Sequence, residues 1–558
     1  MDSAASVALP VVAMCKMKKN AKKANLVPKG SVKHHFEDYC QSTSIHGIKY
    51  LGEKNRPLGE RLWWLLVFLV CLLGNAYLIA KVWKKWNESP VIVSFAETTT
   101  PVWQVPFPAI TICSEQKSRA SIFNFTEAYY MVLNTSDDSA PDDDLVTKTG
   151  NVVLLCDDHV LVNTTKQKQF TDDSTIEFLK EVSPGLNDSL LVCKWKGELR
   201  EDCSHILKAV VTEEGMCFSF NMLSPQELFR GNGIPYYEEH DRSANNMWAL
   251  DGGYFEDAPL ETYPERALFP GSKAGITFVF KAEPADSDFL CRGPVEGFKV
   301  LLHNPAEIPT IGERYLRVPL KQEVIVAVQP KIMTTSHGLR TYSPHGRQCY
   351  FFNERYLQFF KIYTQQNCQL ECLTNYTLKE CGCVAIHMPR NPDTKICGSG
   401  SKICMQNASA VLRLFEIKSS YEGETGQKSC DCLPACTSLQ YDAETSQADF
   451  NAFAVLAAYK DNTSEVEMMQ FARLTVFFKD MQFTTSKRSE LFGLVDFMAN
   501  CGGLLGLFCG VSFLSLVEII YYITLRFWSN MKTLKQEEEQ LANSTEDHVP
   551  DKLKKFMD

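Results

Sequence analysis

Several chemistries have no residues to carry them in this sequence. It holds no nucleophile elbow, no phosphate loop and no HExxH pair, and its 11 histidines are scattered, so nothing marks a hydrolase, a nucleotide enzyme or a zinc protease. We expect no enzyme, no catalytic residue, no metal site and no cofactor. No repeat of solenoid period is present. The formal net charge of −10 argues against a nucleic-acid partner. Charge itself is missing from two long stretches, and that absence says the most.

Leu62–Ala80 carries no formal charge and is long enough for a membrane helix. It lies too far along the chain, and is too long, to read as a cleaved signal peptide. The second stretch runs from Phe497 to Leu525 with one formal charge, Glu518. As a single helix it would be about 43 Å long against roughly 30 Å of hydrocarbon, so it must tilt, protrude or break. Gly510-Val511-Ser512 is the expected break. Non-helical backbone at membrane depth survives only where protein or water satisfies it, so a break there suggests a water-filled path. Gly502, Gly506 and Gly510 repeat every four residues, and Ala499, Gly503, Gly506 and Gly510 form a small-residue stripe. Such a stripe fits ordinary helix packing as well as a pore. Residues 1–61 carry eleven Lys and Arg, against Lys81, Lys84 and Lys85 just beyond the first stretch, so the positive-inside rule places both termini in the cytosol.

Roughly 410 residues then lie outside, enough for one large or two ordinary domains. Of the 21 cysteines, 16 fall between the two stretches, an even number in an oxidising compartment. Close pairs such as Cys381-x-Cys383 could hold zinc, but compartment and count favour bridges. Glycosylation acceptors Asn124, Asn134, Asn163, Asn187, Asn375, Asn407 and Asn462 share the region, while Asn87 and Asn543 are expected to stay bare. Short β-branched runs at Ala209–Thr212, Gly275–Phe280, Phe298–Leu302 and Glu323–Val328 read as strands. Cys349–Leu373 and Ala408–Lys418 read as helices in the densest cysteine region, and the acidic 137–144 stretch as a solvated loop.

His46-Gly47 before the first stretch, Phe107-Pro108-Ala109-Ile110-Thr111-Ile112-Cys113 after it, and Gly215-Met216-Cys217-Phe218-Ser219-Phe220-Asn221 resemble the degenerin/epithelial sodium channel family. So do Tyr363-x4-Cys368-x3-Cys372-x8-Cys381-x-Cys383, Cys430-x-Cys432-Leu433-Pro434-x-Cys436, and Gly510-Val511-Ser512 with Glu518. The ordered matches run from His46 to about Leu525. The cysteine-rich region looks most like the insect pickpocket branch.

The resemblance implies a homo- or hetero-trimer of subunits, each an α+β membrane protein with two transmembrane helices flanking a large disulfide-rich, β-rich extracellular domain with a helical thumb. It divides the chain into a cytosolic arm (1–61), a first span (62–83), an exterior (84–490, thumb about 345–436), a second span (491–526) and a cytosolic tail (527–558). It implies a voltage-insensitive, amiloride-sensitive sodium or cation channel of the plasma membrane, gated by an extracellular chemical or mechanical stimulus. Its partners would be same-family subunits, membrane lipid and an extracellular ligand or matrix, with Na+ as the permeant ion. Gly510, Val511 and Ser512 look like the selectivity filter, and Ala499, Gly503, Gly506 and Glu518 match pore and gate positions. His46 and Gly47 resemble the cytosolic gating motif.

Implied bridges are Cys113–Cys217, Cys193–Cys203, Cys349–Cys436, Cys368–Cys432, Cys372–Cys430, Cys381–Cys404 and Cys383–Cys397; Cys156 and Cys291 pair as the two left over. The sequence departs from the pattern at His345, where relatives carry a tryptophan in the thumb-to-wrist loop, and at Leu504 and Cys509 in the upper pore helix. A non-conducting auxiliary, adhesion or receptor subunit is the alternative. An ATP-gated trimer of similar topology lacks support, because the exterior shows no clustered basic nucleotide site.

Overall fold

The computed structural model describes residues 32–53, 56–88, 91–134, 142–157, 160, 167–200, 202–231, 237–238, 246–422, 430–459 and 468–546. The chain divides into two compact units, one made of its two ends (Met1–Glu88 with Phe492–Asp558) and one of Ser89–Leu491.

In the first unit the uncharged stretch sits inside one helix, Leu58–Glu88, with mean hydropathy 2.2 over its most apolar window. Two shorter helices precede it, Val32–Ser42 and Ile48–Gly52. The second stretch is two helices, Leu494–Cys509 and Phe513–Tyr521, and the latter continues through a π-helical turn, Tyr522–Arg526, into Phe527–Glu546. The two arms meet at 68°. Among the described residues one helix is by itself long and apolar enough to cross a membrane, and the bent pair passes the same test if taken as one span. Aromatic side chains join the two stretches: Phe497 stacks on Trp86 at 4.9 Å and meets Trp83 edge-on at 5.7 Å.

The second unit is built on two sheets. In the larger, Val91–Phe95, Ser486–Glu490, Gln322–Thr335, Gln470–Phe478, Ile276–Ala282, Leu190–Trp195 and Glu198–Arg200 lie side by side in that order, and Ser438–Asp449 also pairs with Gln322–Thr335. The smaller runs Leu316–Pro319, Gly297–His303, Ala109–Ser114, Gly215–Phe220, Leu207–Thr212. Period-2 burial explains the strand character: Val324, Val326 and Val328 are each fully buried while the residues between them are not. These valines join an aromatic core in which Phe280 stacks on Phe298 at 4.4 Å and Phe107 meets Trp195 and Phe478 edge-on.

Two expected elements differ. The helix expected over Cys349–Leu373 starts only at Gln365 and runs to Cys381, with Thr364 Oγ1 accepting from Asn367 N as its cap. Upstream, Phe359 and Phe360 are buried in irregular chain, and the backbone N–H groups of Gln358 and Phe359 donate to the Glu371 carboxylate at 2.8 Å each. That carboxylate replaces the carbonyls a helix would supply. The acidic stretch is not all loop either, since Asp142 caps a helix beginning at Asp143; residues 137–141 lie outside the described residues. Ala408–Lys418 is the middle of a longer helix, Lys402–Glu422.

Candidate pore segment and gating loop

The helix that starts at Leu494 ends because Gly510 adopts φ 67, ψ 19, a left-handed conformation that costs L-residues with a Cβ about 1–2 kcal/mol. It restarts at Phe513 with a reciprocal cap: Ser512 Oγ accepts from Ser515 N at 3.3 Å, and Ser515 Oγ accepts from Ser512 N at 3.0 Å. The Ser512 hydroxyl therefore bonds back to its own helix.

A break strands backbone carbonyls, and one of them finds a partner far away in sequence. His46 N donates to Cys509 O at 2.9 Å, and the His46 ring lies so close to Gly510 that a Cβ there would stand 2.7 Å from it. From this point the N-terminal segment follows the lower arm of the bent pair. Ser44 Oγ lies 2.8 Å from Ser515 Oγ and donates to Glu518 Oε2 at 3.3 Å. Ser42 Oγ meets Tyr522 OH at 2.5 Å, and Arg526 pairs with Asp38 at 3.3 Å. On the other side of the break, Asn75 of the Leu58–Glu88 helix and Cys509 are both buried.

The site residues expected from sequence fall into two groups. His46, Gly47, Gly510, Val511, Ser512 and Glu518 come together around the break. Ala499 and Gly503 are exposed along the upper arm and Gly506 is half-buried; Gly502 and Gly503 have open space where a Cβ would stand. Leu504 is half-buried, and Cys40, Cys71, Cys501 and Cys509 are free thiols. Ser44, Ser515 and Asn75 were not expected: hydropathy and spacing give no signal for hydroxyls that meet across the fold or for a buried amide.

Residues 39–522 match the family described as amiloride-sensitive sodium channel. The chain belongs to that family. Its members are ion channels of the plasma membrane, not enzymes. Pickpocket protein 28 of Drosophila melanogaster is 28% identical over 554 residues, covering 94% of this chain and 84% of the relative. Pickpocket protein 11 of the same species is 25% identical, covering 90% and 78%, which supports the pickpocket branch named from the cysteine-rich region. Acid-sensing ion channel 2 of Rattus norvegicus is 24% identical, covering 91% and 90%. A cryo-EM structure of a proton-activated chloride channel aligns with a TM-score of 0.25 and 7% identity over 83% of this chain and 96% of that one; no argument rests on it.

In the unit Ser89–Leu491 of this amiloride-sensitive sodium channel family member, eight disulfides are formed among the described residues. They join Cys113 to Cys217, Cys156 to Cys291, Cys193 to Cys203, Cys349 to Cys436, Cys368 to Cys432, Cys372 to Cys430, Cys381 to Cys404 and Cys383 to Cys397. The acceptor asparagines Asn124, Asn134, Asn187, Asn375 and Asn407 are exposed, and Asn163 and Asn462 lie outside the described residues. His345 is exposed.

The fold also buries a charge cluster for which the sequence carries no local signal. Glu214 meets Lys117 at 2.9 Å, Arg292 at 2.8 Å and Lys299 at 2.8 Å, and Arg292 also holds Asp157. Burial raises the Glu214 pKa, but the three cations outweigh it and hold the carboxyl at about 2. Burial pushes the adjacent Glu213 up to about 7, although Gly312 N donates to it and His387 Nε2 lies 4.0 Å from its carboxylate. Both line a cavity of about 890 Å³ with His387, Arg413 and Glu416.

Proposed function

We propose that this chain is a pore-forming subunit of a voltage-insensitive, amiloride-sensitive sodium or cation channel, assembled as a trimer in the plasma membrane with both termini cytosolic. The observation that carries the reading is the break at Gly510, whose freed carbonyl at Cys509 is taken by His46 N–H. An anchoring helix has no use for interrupted backbone at membrane depth, or for a second segment folded up to satisfy it.

In this reading 62–83 and 491–526 are the spans, 84–490 is extracellular with a thumb at about 345–436, and 1–61 and 527–558 are cytosolic. Gly510, Val511 and Ser512 of three chains surround the permeant Na+ at the constriction. Ala499, Gly503 and Gly506 line the approach where the arms close together. Glu518 lies below on the cation path, and His46 and Gly47 brace the break from the cytosolic side. Two helices cannot enclose an aqueous path, and Leu507, Phe513 and Leu514 are each more than two-thirds exposed in the single chain, surfaces suited to neighbouring subunits and lipid. An extracellular ligand or matrix acts on the disulfide-stapled exterior.

Recording current from cells expressing this chain alone, with and without amiloride, tests the reading. A sodium-dependent current blocked by amiloride is the expected result. Surface-expressed chain that carries no current, even with an enlarged residue at Ala499, points instead to a non-conducting auxiliary, adhesion or receptor subunit.

A further inference from the structure

Asn124, which opens the acceptor sequence Asn124-Phe125-Thr126, is exposed and also lines a cavity. The cavity measures about 610 Å³, within the roughly 300–1,000 Å³ of sites that take small molecules. Two separate pieces of chain wall it. One is the helix Phe125–Asn134, which contributes Glu127 and Tyr130, and the other is the segment 285–290, which contributes Ser287, Asp288 and Phe289. The pieces are tied together: Ala120 N donates to Asp286 O at 3.0 Å, Ser121 N donates to Asp286 Oδ1 at 2.6 Å, and Thr126 donates through its N and its Oγ1 to the Asp288 carboxylate at 2.7 and 3.0 Å.

Each wall carries one aromatic ring at the surface, Tyr130 and Phe289, and each of these is 49% exposed. A sugar suits such a surface. The axial C–H bonds of a β-linked N-acetylglucosamine carry partial positive charge and pack flat on the negative face of an aromatic ring, while its hydroxyl and acetamido groups find hydrogen-bonding partners in the Ser287 hydroxyl and the Glu127 carboxylate.

The Asn124 amide can carry that sugar without loss of structure. Its Oδ1 accepts from Glu127 N at 3.0 Å and so caps the helix, while its Nδ2 donates to Glu127 Oε2 at 3.4 Å. Transfer from a lipid-linked pyrophosphate oligosaccharide forms the bond from Nδ2 to C1 of the first N-acetylglucosamine, breaks that carbon's bond to the pyrophosphate oxygen and releases one Nδ2 proton. Oδ1 and one N–H remain, so the cap survives. Asp288, which holds Thr126 in the finished fold, is synthesised 162 residues later, so the Thr126 hydroxyl is still free of it when the acceptor emerges.

We propose that this cavity is a carbohydrate seat, in which the first N-acetylglucosamine on Asn124 packs against Tyr130 and Phe289 and ties the helix Phe125–Asn134 to the segment 285–290. The inference rests on the placement of 84–490 outside the cell and needs nothing from conduction. Full-length chain purified in detergent from mammalian cells is treated, without denaturation, with an amidase that cuts the bond between asparagine and sugar, and release is followed at each acceptor by mass spectrometry. Tyr130→Ala and Phe289→Ala are each expected to speed release at Asn124 about tenfold, because release in wild type waits for the seat to open, and to leave the exposed Asn187 and Asn407 unchanged. Tyr130→Phe keeps the ring and matches wild type. Neither alanine variant empties a core, since both rings are at the surface.

Amide exchange separates a seat from mere crowding. Asn124→Asp keeps the capping oxygen but carries no sugar, so it should speed exchange in Phe125–Asn134 several-fold in the wild-type background and add nothing to Tyr130→Ala. An unglycosylated Asn124, release at Asn124 that neither alanine variant changes, or equal effects of Asn124→Asp in the two backgrounds overturns the seat. Glycans absent from every acceptor overturn the outside placement, and the channel reading and the seat with it. A chain that carries no current yet shows both expected results supports the seat while the channel reading fails.

Discussion

Replacing Gly510 by alanine probes the break and its brace together. The backbone there sits at φ 67, where a Cβ costs about 1–2 kcal/mol. The new Cβ would also stand 2.7 Å from two carbons of the His46 ring, well inside the 3.4 Å at which ordinary contact begins. Because Cγ, attached directly to Cβ, is one of the crowded atoms, relief requires a χ1 change or a shift of the backbone whose N–H is bonded to Cys509 O at 2.9 Å. Overpacking of this kind costs about 1–3 kcal/mol, so Gly510→Ala should destabilise the break by about 2–5 kcal/mol in all. His46→Ala removes the ring but keeps the backbone bond. In that background Gly510→Ala should cost only the backbone strain, leaving a coupling of about 1–3 kcal/mol between the two positions. Thermal melts of the detergent-solubilised full chain, run on the four members of the cycle, measure it. Reversal potentials in sodium, lithium and potassium show whether the displaced brace also shifts selectivity. Equal losses in the two backgrounds would refute the contact and, with it, the claim that His46 braces the break.

Ala499→Val should raise resting current, because Ala499 lies one turn above Gly503 on the exposed upper arm and added volume opposes closure; unchanged resting current in a conducting channel removes this position from the gate. Cys368→Ser should reduce surface expression, since the bridge to Cys432 spans 64 residues and bridges of this kind contribute about 2–5 kcal/mol. Non-reducing peptide mapping that joins Cys368 to another partner contradicts the pairing. Glu213 gives a pH signature: its folded pKa of about 7 stands above the ordinary 4.5, so its stabilising contribution is full below about pH 4.5 and is lost as pH rises through 7. Glu213→Gln should therefore gain on wild type with rising pH, by about 1 kcal/mol or more at pH 8, and melting curves that stay parallel from pH 5 to pH 8 would contradict it.

What the sequence discloses follows from how local each signal is. The Leu58–Glu88 helix is legible because its apolar run is continuous, and the strands around Val324–Val328 and Phe298–Leu302 because alternation needs no distant information. Glycine at 510 is legible as a stop, since few other residues reach its φ. The irregular path of 349–364 is not, because its aromatic spacing suits a helix and what overrides it is the Glu371 carboxylate taking the N–H groups of Gln358 and Phe359. The Lys117–Glu214–Arg292–Lys299 cluster is invisible for a related reason. Its members are far apart in the chain, each an ordinary surface residue by type, and only the fold makes them neighbours.

Glu518 shows how one residue can answer to two demands. A carboxylate in an apolar segment must face water, an ion or a partner, and the resemblance assigns it to the cation path. In the folded chain it is half-buried and accepts from the Ser44 hydroxyl, while Ser44 also meets Ser515, whose hydroxyl helps cap the restarted helix. The carboxylate, the cap and the N-terminal segment thus share hydrogen bonds, and changing one alters the partners of the others. A bond from a neutral hydroxyl to a charged acceptor is worth about 1.5–3 kcal/mol net. That is large enough to hold the segment in place and small enough to exchange for water or a passing cation. In the proposed channel the same arrangement would leave Glu518 available to the cation path; in the folded chain it makes the N-terminal segment part of the second apolar stretch energetically although more than four hundred residues separate them.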